Sequence, residues 1–197
     1  MTDLNLECSC GSVKGVARDI SPKTGIHVVC YCDDCQAFAR ELGQQNTILD
    51  RHGGTDIFQM SPATIEITTG TEHLCCMRLN PKGMHRWYTG CCKTPIGNTV
   101  NAKVPFIGFI TTFFAKSNDK AAALGPISNQ IMVKFSQPPL PNDLKVKSSK
   151  FVSGLRVLSK FIKWKIRDGS KPTPFFNKDG TPVATVGIVS KNTGINA

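Results

Sequence analysis

With 197 residues, 40% of them hydrophobic, the chain is long enough for one domain with a proper core, or for a domain plus an extension, and too apolar to be disordered throughout. Its 17 glycines and 12 prolines favour many turns and short strands over a helical bundle. The formal charge of +10 is lopsided: residues 1–102 hold 9 basic and 10 acidic side chains, residues 103–197 hold 15 basic and 4 acidic, so any role of the basicity belongs to the C-terminal half.

Taken in chain order, residues 4–18 read as a strand and a turn carrying Cys8-Ser9-Cys10-Gly11. Residues 25–30 are β-branched and read as a strand that runs into Cys30-Tyr31-Cys32-Asp33-Asp34-Cys35. One or two helical turns are expected over Gln36 to Leu42, and a tight turn at His52-Gly53-Gly54-Thr55-Asp56. Residues 57–60 and 64–68 alternate like half-buried strands, with a hairpin expected at Gly70-Thr71-Glu72. Further strands follow at 74–79, 86–88 and 104–114, and the turn from Gly90 to Pro95 holds Cys91 and Cys92.

Beyond this β region the pattern changes. Asn118 to Leu124 reads as a capped helix stopped by Gly125-Pro126, and Gln137 to Pro141 as an extended linker. Ser148 to Arg167 reads as a basic amphipathic helix whose apolar face is Phe151, Leu155, Leu158 and Ile162, widened by Phe161 and Trp164. That face is expected to dock on the β region. Asn177 to Gly180 reads as a turn between two short strands. The expected organisation is a β domain over residues 1–115 and a basic extension over 116–197.

The opening residues carry no basic, apolar export signal, and the longest apolar stretch, Val104 to Ala115, falls short of the roughly 20 residues a membrane span needs. A cytoplasmic, reducing location is therefore expected. There nine cysteines, an odd number, point to metal or thiol chemistry rather than to a disulfide framework. Three thiols as C-x-C-x-x-C, at Cys30, Cys32 and Cys35, can wrap one zinc ion at about 2.3 Å, leaving a fourth position either open or filled by Cys91, Cys75, Cys76 or His27. Cys8 and Cys10 form half of a second site and need a distant partner. Cys92 is the better candidate and Cys91 the weaker one, because the side chains of adjacent residues tend to diverge. Cys75 and Cys76 sit in a strand, where successive side chains face opposite ways, and read as small apolar residues. Asp33 and Asp34 read as solvated loop carboxylates or as a proton shuttle.

The ordered set Cys8-x-Cys10-Gly11, Cys30-x-Cys32-x-x-Cys35 and Arg86-Trp87-Tyr88-Thr89-Gly90-Cys91-Cys92-Lys93-Thr94-Pro95-Ile96 resembles the glutathione-dependent formaldehyde-activating enzyme and centromere protein V family over residues 5–115. The resemblance implies a mainly β, β-tent zinc fold, here with a C-terminal helical extension. It implies a structural zinc on Cys8, Cys10 and Cys92, and a second zinc on Cys30, Cys32 and Cys35 that a glutathione sulfur approaches. The implied chemistry is thiol addition to formaldehyde or the reverse carbon–sulfur cleavage. The sequence departs from the family's C-x-x-C-Gly at Thr89 and Lys93, where a cysteine and a glycine would stand.

Two function classes follow. One is a zinc-dependent carbon–sulfur lyase or glutathione-adduct enzyme with one or two zinc ions and a small thiol as partner. The other is a non-catalytic zinc module whose basic C-terminal half meets an anionic membrane surface or nucleic acid.

Overall fold

The computed structural model describes residues 1–146, 150–169 and 171–189. The elements run β1 (Thr2–Glu7), β2 (Lys14–Ile20), β3 (Ile26–Cys30), α1 (Asp33–Glu41), α2 (Gln45–Ile48), β4 (Thr55–Met60), β5 (Ile65–Thr69), β6 (Leu74–Arg78), β7 (His85–Thr89), β8 (Pro95–Thr99) and β9 (Ile107–Ile110). These are followed by α3 (Lys120–Leu124), β10 (Asn129–Ile131), α4 (Lys150–Asp168) and β11 (Val186–Ile188). The protein is mainly β, as the turn-rich composition predicts.

Among the described residues the strands form two sheets, a small one in the order β1-β2-β5 and a large one in the order β10-β3-β4-β9-β8-β7-β6-β11. Pairing is antiparallel except at the two edges of the large sheet, where β10 runs parallel to β3 and β11 parallel to β6. Both edge strands come from the chain beyond residue 115.

The large sheet buries both faces, and the alternation of side chains along each strand sorts them. Phe58 and Met60 of β4, Ile107 and Phe109 of β9, Leu74 and Cys76 of β6 and Trp87 of β7 pack with Leu4, Leu6, Ala17 and Ile20 of the small sheet. Ile57, Ile110 and Met77, on the opposite face, join Ile26, Val28 and Cys30 beneath Cys35, Phe38 and Ala39 of α1. Trp87 is fully buried and satisfies its indole N–H on Thr99 Oγ1 at 2.9 Å.

Several local expectations are corrected. Residues 70–73 do not close a hairpin. Gly70, at φ 75°, and a short helical turn over Thr71–His73 carry the chain from β5 in the small sheet to β6 in the large one. Residues 137–141 are not a bare linker. Leu140 is buried against Val29 and Tyr31, and His52 Nδ1 lies 2.9 Å from the Pro138 carbonyl. Helix α3 begins at Lys120 with no side-chain cap. Residues 177–180 do form a turn, closed by Asn177 N–H to Thr181 O at 2.8 Å, but it is flanked by isolated bridges rather than strands.

The largest correction concerns α4. The helix is present over Lys150–Asp168; residues 148 and 149 of the expected helix, and the side chain of Phe151, lie outside the described residues. Its docked side is Phe161 and Trp164, not the leucines. Phe161 stacks on Phe106 with ring centroids 5.4 Å apart, and Trp164 donates its indole N–H to Thr24 O at 3.0 Å. Lys160 is buried on the same side and donates to the carbonyls of Pro22 and Lys23. Leu155, Leu158 and Ile162 face solvent.

Candidate metal centres

Seven of the nine cysteines converge into two groups, and none of the nine is in a disulfide. The first group is Cys8, Cys10, Cys91 and Cys92; the second is Cys30, Cys32 and Cys35; within each group all sulfurs lie within 4.8 Å of one another.

The four-sulfur group joins the end of β1 to the turn between β7 and β8. A tetrahedral ion bonded at about 2.3 Å to four sulfurs holds them about 3.8 Å apart. The sulfur separations here are 3.5 Å for Cys8–Cys10, 3.9 Å for Cys8–Cys91, 3.4 Å for Cys10–Cys91 and 3.8 Å for Cys91–Cys92. This donor set fits a divalent, sulfur-preferring ion such as zinc with all four positions filled.

Both adjacent cysteines bring their sulfurs into the group, and the expectation that the Cys91 and Cys92 side chains diverge is corrected. The reason is local. Thr89 and Thr94 pair across the turn, with Thr89 N–H to Thr94 O at 2.9 Å and Lys93 N–H to Thr89 O at 2.9 Å. Cys91 and Cys92 thus sit in a closed loop, not in extended chain where successive side chains point apart. Lys93 completes the loop in the left-handed region, at φ 59°, where glycine is usual.

Thr89, three residues before Cys92, supplies a hydroxyl 3.3 Å from Cys92 Sγ, and the Thr94 hydroxyl lies 3.1 Å from the same sulfur. Ser9 N–H donates to Thr94 Oγ1 at 3.0 Å, which ties the β1–β2 turn to the β7–β8 turn. Burial opposes ionisation of Cys92, but the hydroxyls of Ser9, Thr89 and Thr94 outweigh it and bring the thiol down to about 4. Val13 N–H donates to Cys8 Sγ at 3.2 Å. The group is thus held by hydrogen bonds beyond its own sulfurs, as metal thiolates usually are.

The three-sulfur group straddles the β3–α1 junction. Cys30 ends β3, Cys32 caps the N-terminus of α1 and accepts the Cys35 N–H at 3.3 Å, and Cys35 lies in the first turn. Backbone N–H groups at a helix start favour negative sulfur. Cys32 drops to about 2, mainly through its hydrogen bond with Cys30, with Cys35 and the Arg86 charge adding to the effect. The same contact with Cys32 pushes Cys30 up to about 11. Cys30 and Cys35 are buried while Cys32 is half-buried, so the group opens to solvent on the Cys32 side.

No fourth protein sulfur or imidazole joins this group among the described residues. Cys75 and Cys76 lie in β6, with Cys76 buried in the core between the sheets. His27 is committed elsewhere: Nε2 is 2.7 Å from Asp56 Oδ1 and Nδ1 is 2.7 Å from the Gly125 carbonyl.

Sequence reasoning missed one cation. Arg86 of β7 is 3% exposed, yet its guanidinium reaches Asp34 Oδ2 at 3.1 Å and Asn98 Oδ1 at 3.1 Å and lies 5.5 Å from the Phe38 ring centroid. Asp34 is therefore not a solvated loop carboxylate. It sits in the first turn of α1, between Cys32 and Cys35 of the three-sulfur group, and pairs with a buried charge. The available signal was an arginine directly beside Trp87 in a strand segment, since an arginine buried in a sheet needs partners.

Among the described residues no helix is long and apolar enough to cross a membrane. No curated protein matches the chain. A family model described as a family of unknown function (DUF6151) matches residues 2–187, from β1 into β11 and so through the basic C-terminal segment, and the chain belongs to that family.

Proposed function

We propose that the protein is a zinc-dependent thiol enzyme, a carbon–sulfur lyase or glutathione-adduct enzyme akin to the formaldehyde-activating family, with a structural ion on Cys8, Cys10, Cys91 and Cys92 and a working ion on Cys30, Cys32 and Cys35. The observation that carries this reading is the difference between the two groups. One offers four sulfurs at tetrahedral spacing; the other offers three, with its open side at Cys32. A zinc with one vacant position supplies a place for an exogenous thiolate and a Lewis acid for a carbonyl oxygen.

The protein's own groups have separable tasks. Three thiolates around a divalent ion leave a net charge of −1, and the buried Arg86 places a positive charge close enough to favour the Cys32 thiolate. Asp34 and Asn98 fix the guanidinium in that position. The chemistry is a thiol adding to a carbonyl. The sulfur–carbon bond forms, the π pair moves to oxygen, and the proton lost by the thiol ends on that oxygen; cleavage is the reverse.

The test is metal analysis of the purified protein together with calorimetric titration of glutathione into the zinc-loaded form. Two zinc ions per chain are expected in the wild type. Cys32→Ser should lose one ion and all thiol binding, while Cys10→Ser should lose one ion and keep thiol binding. A zinc-loaded wild type that binds neither glutathione nor a simple thiol such as cysteine would sink the enzyme reading and leave two structural ions.

A further inference from the structure

Helix α4 carries two apolar faces, and among the described residues only one packs against the fold. Val157, Phe161 and Trp164 face the domain. Leu155, Leu158, Ile162 and Ile166 are 52%, 56%, 51% and 83% exposed. At about 100° per residue these four fall within roughly 80° of arc, with Trp164 on the opposite side of the helix. They make a continuous aliphatic stripe aimed away from the protein, which is unusual for a surface helix.

Charge flanks the stripe. Lys163 and Arg167 project on one side and Lys165 on the other, and all three are exposed. A cleft of about 280 Å³ beside the end of the stripe is lined by Lys23, Lys163, Ile166 and Arg167, among others. Residues 143–171 hold nine basic and two acidic side chains.

We infer that α4 is a membrane-surface helix that lies flat on an anionic lipid leaflet, its aliphatic stripe in the headgroup–acyl boundary and its lysines against phosphate and carboxylate headgroups. An aliphatic stripe between cationic flanks is the pattern such helices require, and the stripe is already turned outward, so no rearrangement of the domain is needed to present it. A second copy of the chain fits less well, because pairing two stripes sets lysine flank against lysine flank. A nucleic acid would meet the lysines and leave the four aliphatic side chains in water. The inference is independent of the zinc chemistry, since α4 holds no cysteine or histidine and so adds no donor to either group.

The experiment is vesicle co-sedimentation of the full, zinc-loaded chain. The vesicles are pure phosphatidylcholine, or equal parts phosphatidylcholine and phosphatidylserine, each at low and at physiological salt. Binding to the serine-containing vesicles is expected, with little to the neutral ones. Leu158→Ser with Ile162→Ser should weaken it at least about tenfold. Lys163→Gln with Lys165→Gln should weaken it by roughly fivefold per lysine and flatten the salt dependence. All four positions are exposed, and circular dichroism and zinc content should match the wild type. Three results would overturn the inference: no difference between the two vesicle types, a stripe variant that binds as well as the wild type, or a sedimentation dimer that the stripe variant dissolves. Salt-sensitive binding to duplex DNA without vesicle binding would overturn it equally.

Discussion

Replacing Arg86 by methionine tests whether one buried cation organises the face of the sheet beneath α1. Methionine keeps most of the apolar stem and removes the guanidinium. Three contacts are lost: Asn98 at 3.1 Å, Asp34 at 3.1 Å and the Phe38 ring at 5.5 Å. Asn98 is only 5% exposed, so its orphaned oxygen costs about 1–2 kcal/mol. The Phe38 contact adds about 1 kcal/mol. Asp34 is 34% exposed on its side chain and regains water, so its share is held to about 0.5 kcal/mol. The expected loss is about 3 kcal/mol, or roughly 6–12 °C in Tm for a chain of this size. Urea denaturation of the zinc-loaded protein followed by circular dichroism measures it. Asp34→Asn alone should cost little, and the double variant should cost less than the sum by about 0.5–1 kcal/mol, because the pair acts together. Zinc content should hold at two while glutathione binding falls roughly tenfold. A single variant within about 0.5 kcal/mol of wild type, or a strictly additive cycle, would refute the account of Arg86 as a buried, paired charge.

Two further outcomes follow from side chains away from the sulfurs. Burial works against a charged His27 and Lys120 adds repulsion, but the hydrogen bond to Asp56 raises its pKa above the ordinary histidine value. A raised folded value means the pair stabilises fully below about pH 6.5 and loses that contribution as pH rises through the folded pKa. His27→Gln should therefore narrow the gap in Tm between pH 5.5 and 8, read by thermal melts across that range at about 1 kcal/mol of difference; an unchanged pH profile would count against the pairing. Asp50 accepts from His52 N–H at 2.7 Å, Gly54 N–H at 2.8 Å and Tyr31 Oη–H at 3.2 Å. Asp50→Ala should cost about 1–2 kcal/mol in a urea titration and Asp50→Asn less, with equal losses arguing that the turn closes without its side chain.

The thiol spacing made the three-sulfur group legible, because C-x-C-x-x-C across a strand end and a helix start needs no distant partner. The other group depended on long-range pairing. Cys8 and Cys10 announced half a site, but only the closed β7–β8 turn decides that Cys91 and Cys92 point the same way. Alternation predicted β5 well, with Ile65 in and Glu66 out, and misjudged β4 as half-buried. Ile57 and Phe58 are neighbours on opposite faces and both are buried, since α1 covers one face of the sheet and the small sheet covers the other. Helical spacing located α4 throughout its described part and placed its end one residue early, at Arg167 instead of Asp168, but both of its faces carry apolar residues of similar weight. Periodicity cannot rank them. The stacking of Phe161 on Phe106 and the carbonyl of Thr24 waiting for Trp164 settle which side docks, and those partners lie far away in the chain. The sequence flagged Arg86 only by its place beside Trp87 and could not name its partners, because Asp34 and Asn98 are 52 and 12 residues away.

The short parallel strands β10 and β11 cap opposite margins of the large sheet, at β3 and at β6. An uncapped margin offers a row of unmatched amides and carbonyls to any neighbouring chain. Trimming the protein to its cysteine-bearing portion would strip both guards at once and leave Cys30, at the end of β3, on a bare rim. Such a fragment should precipitate or assemble edge to edge even with its metal ligands intact. The chain beyond residue 115 is in this sense a pair of bookends, holding the two open margins of the sheet that ends in Cys30.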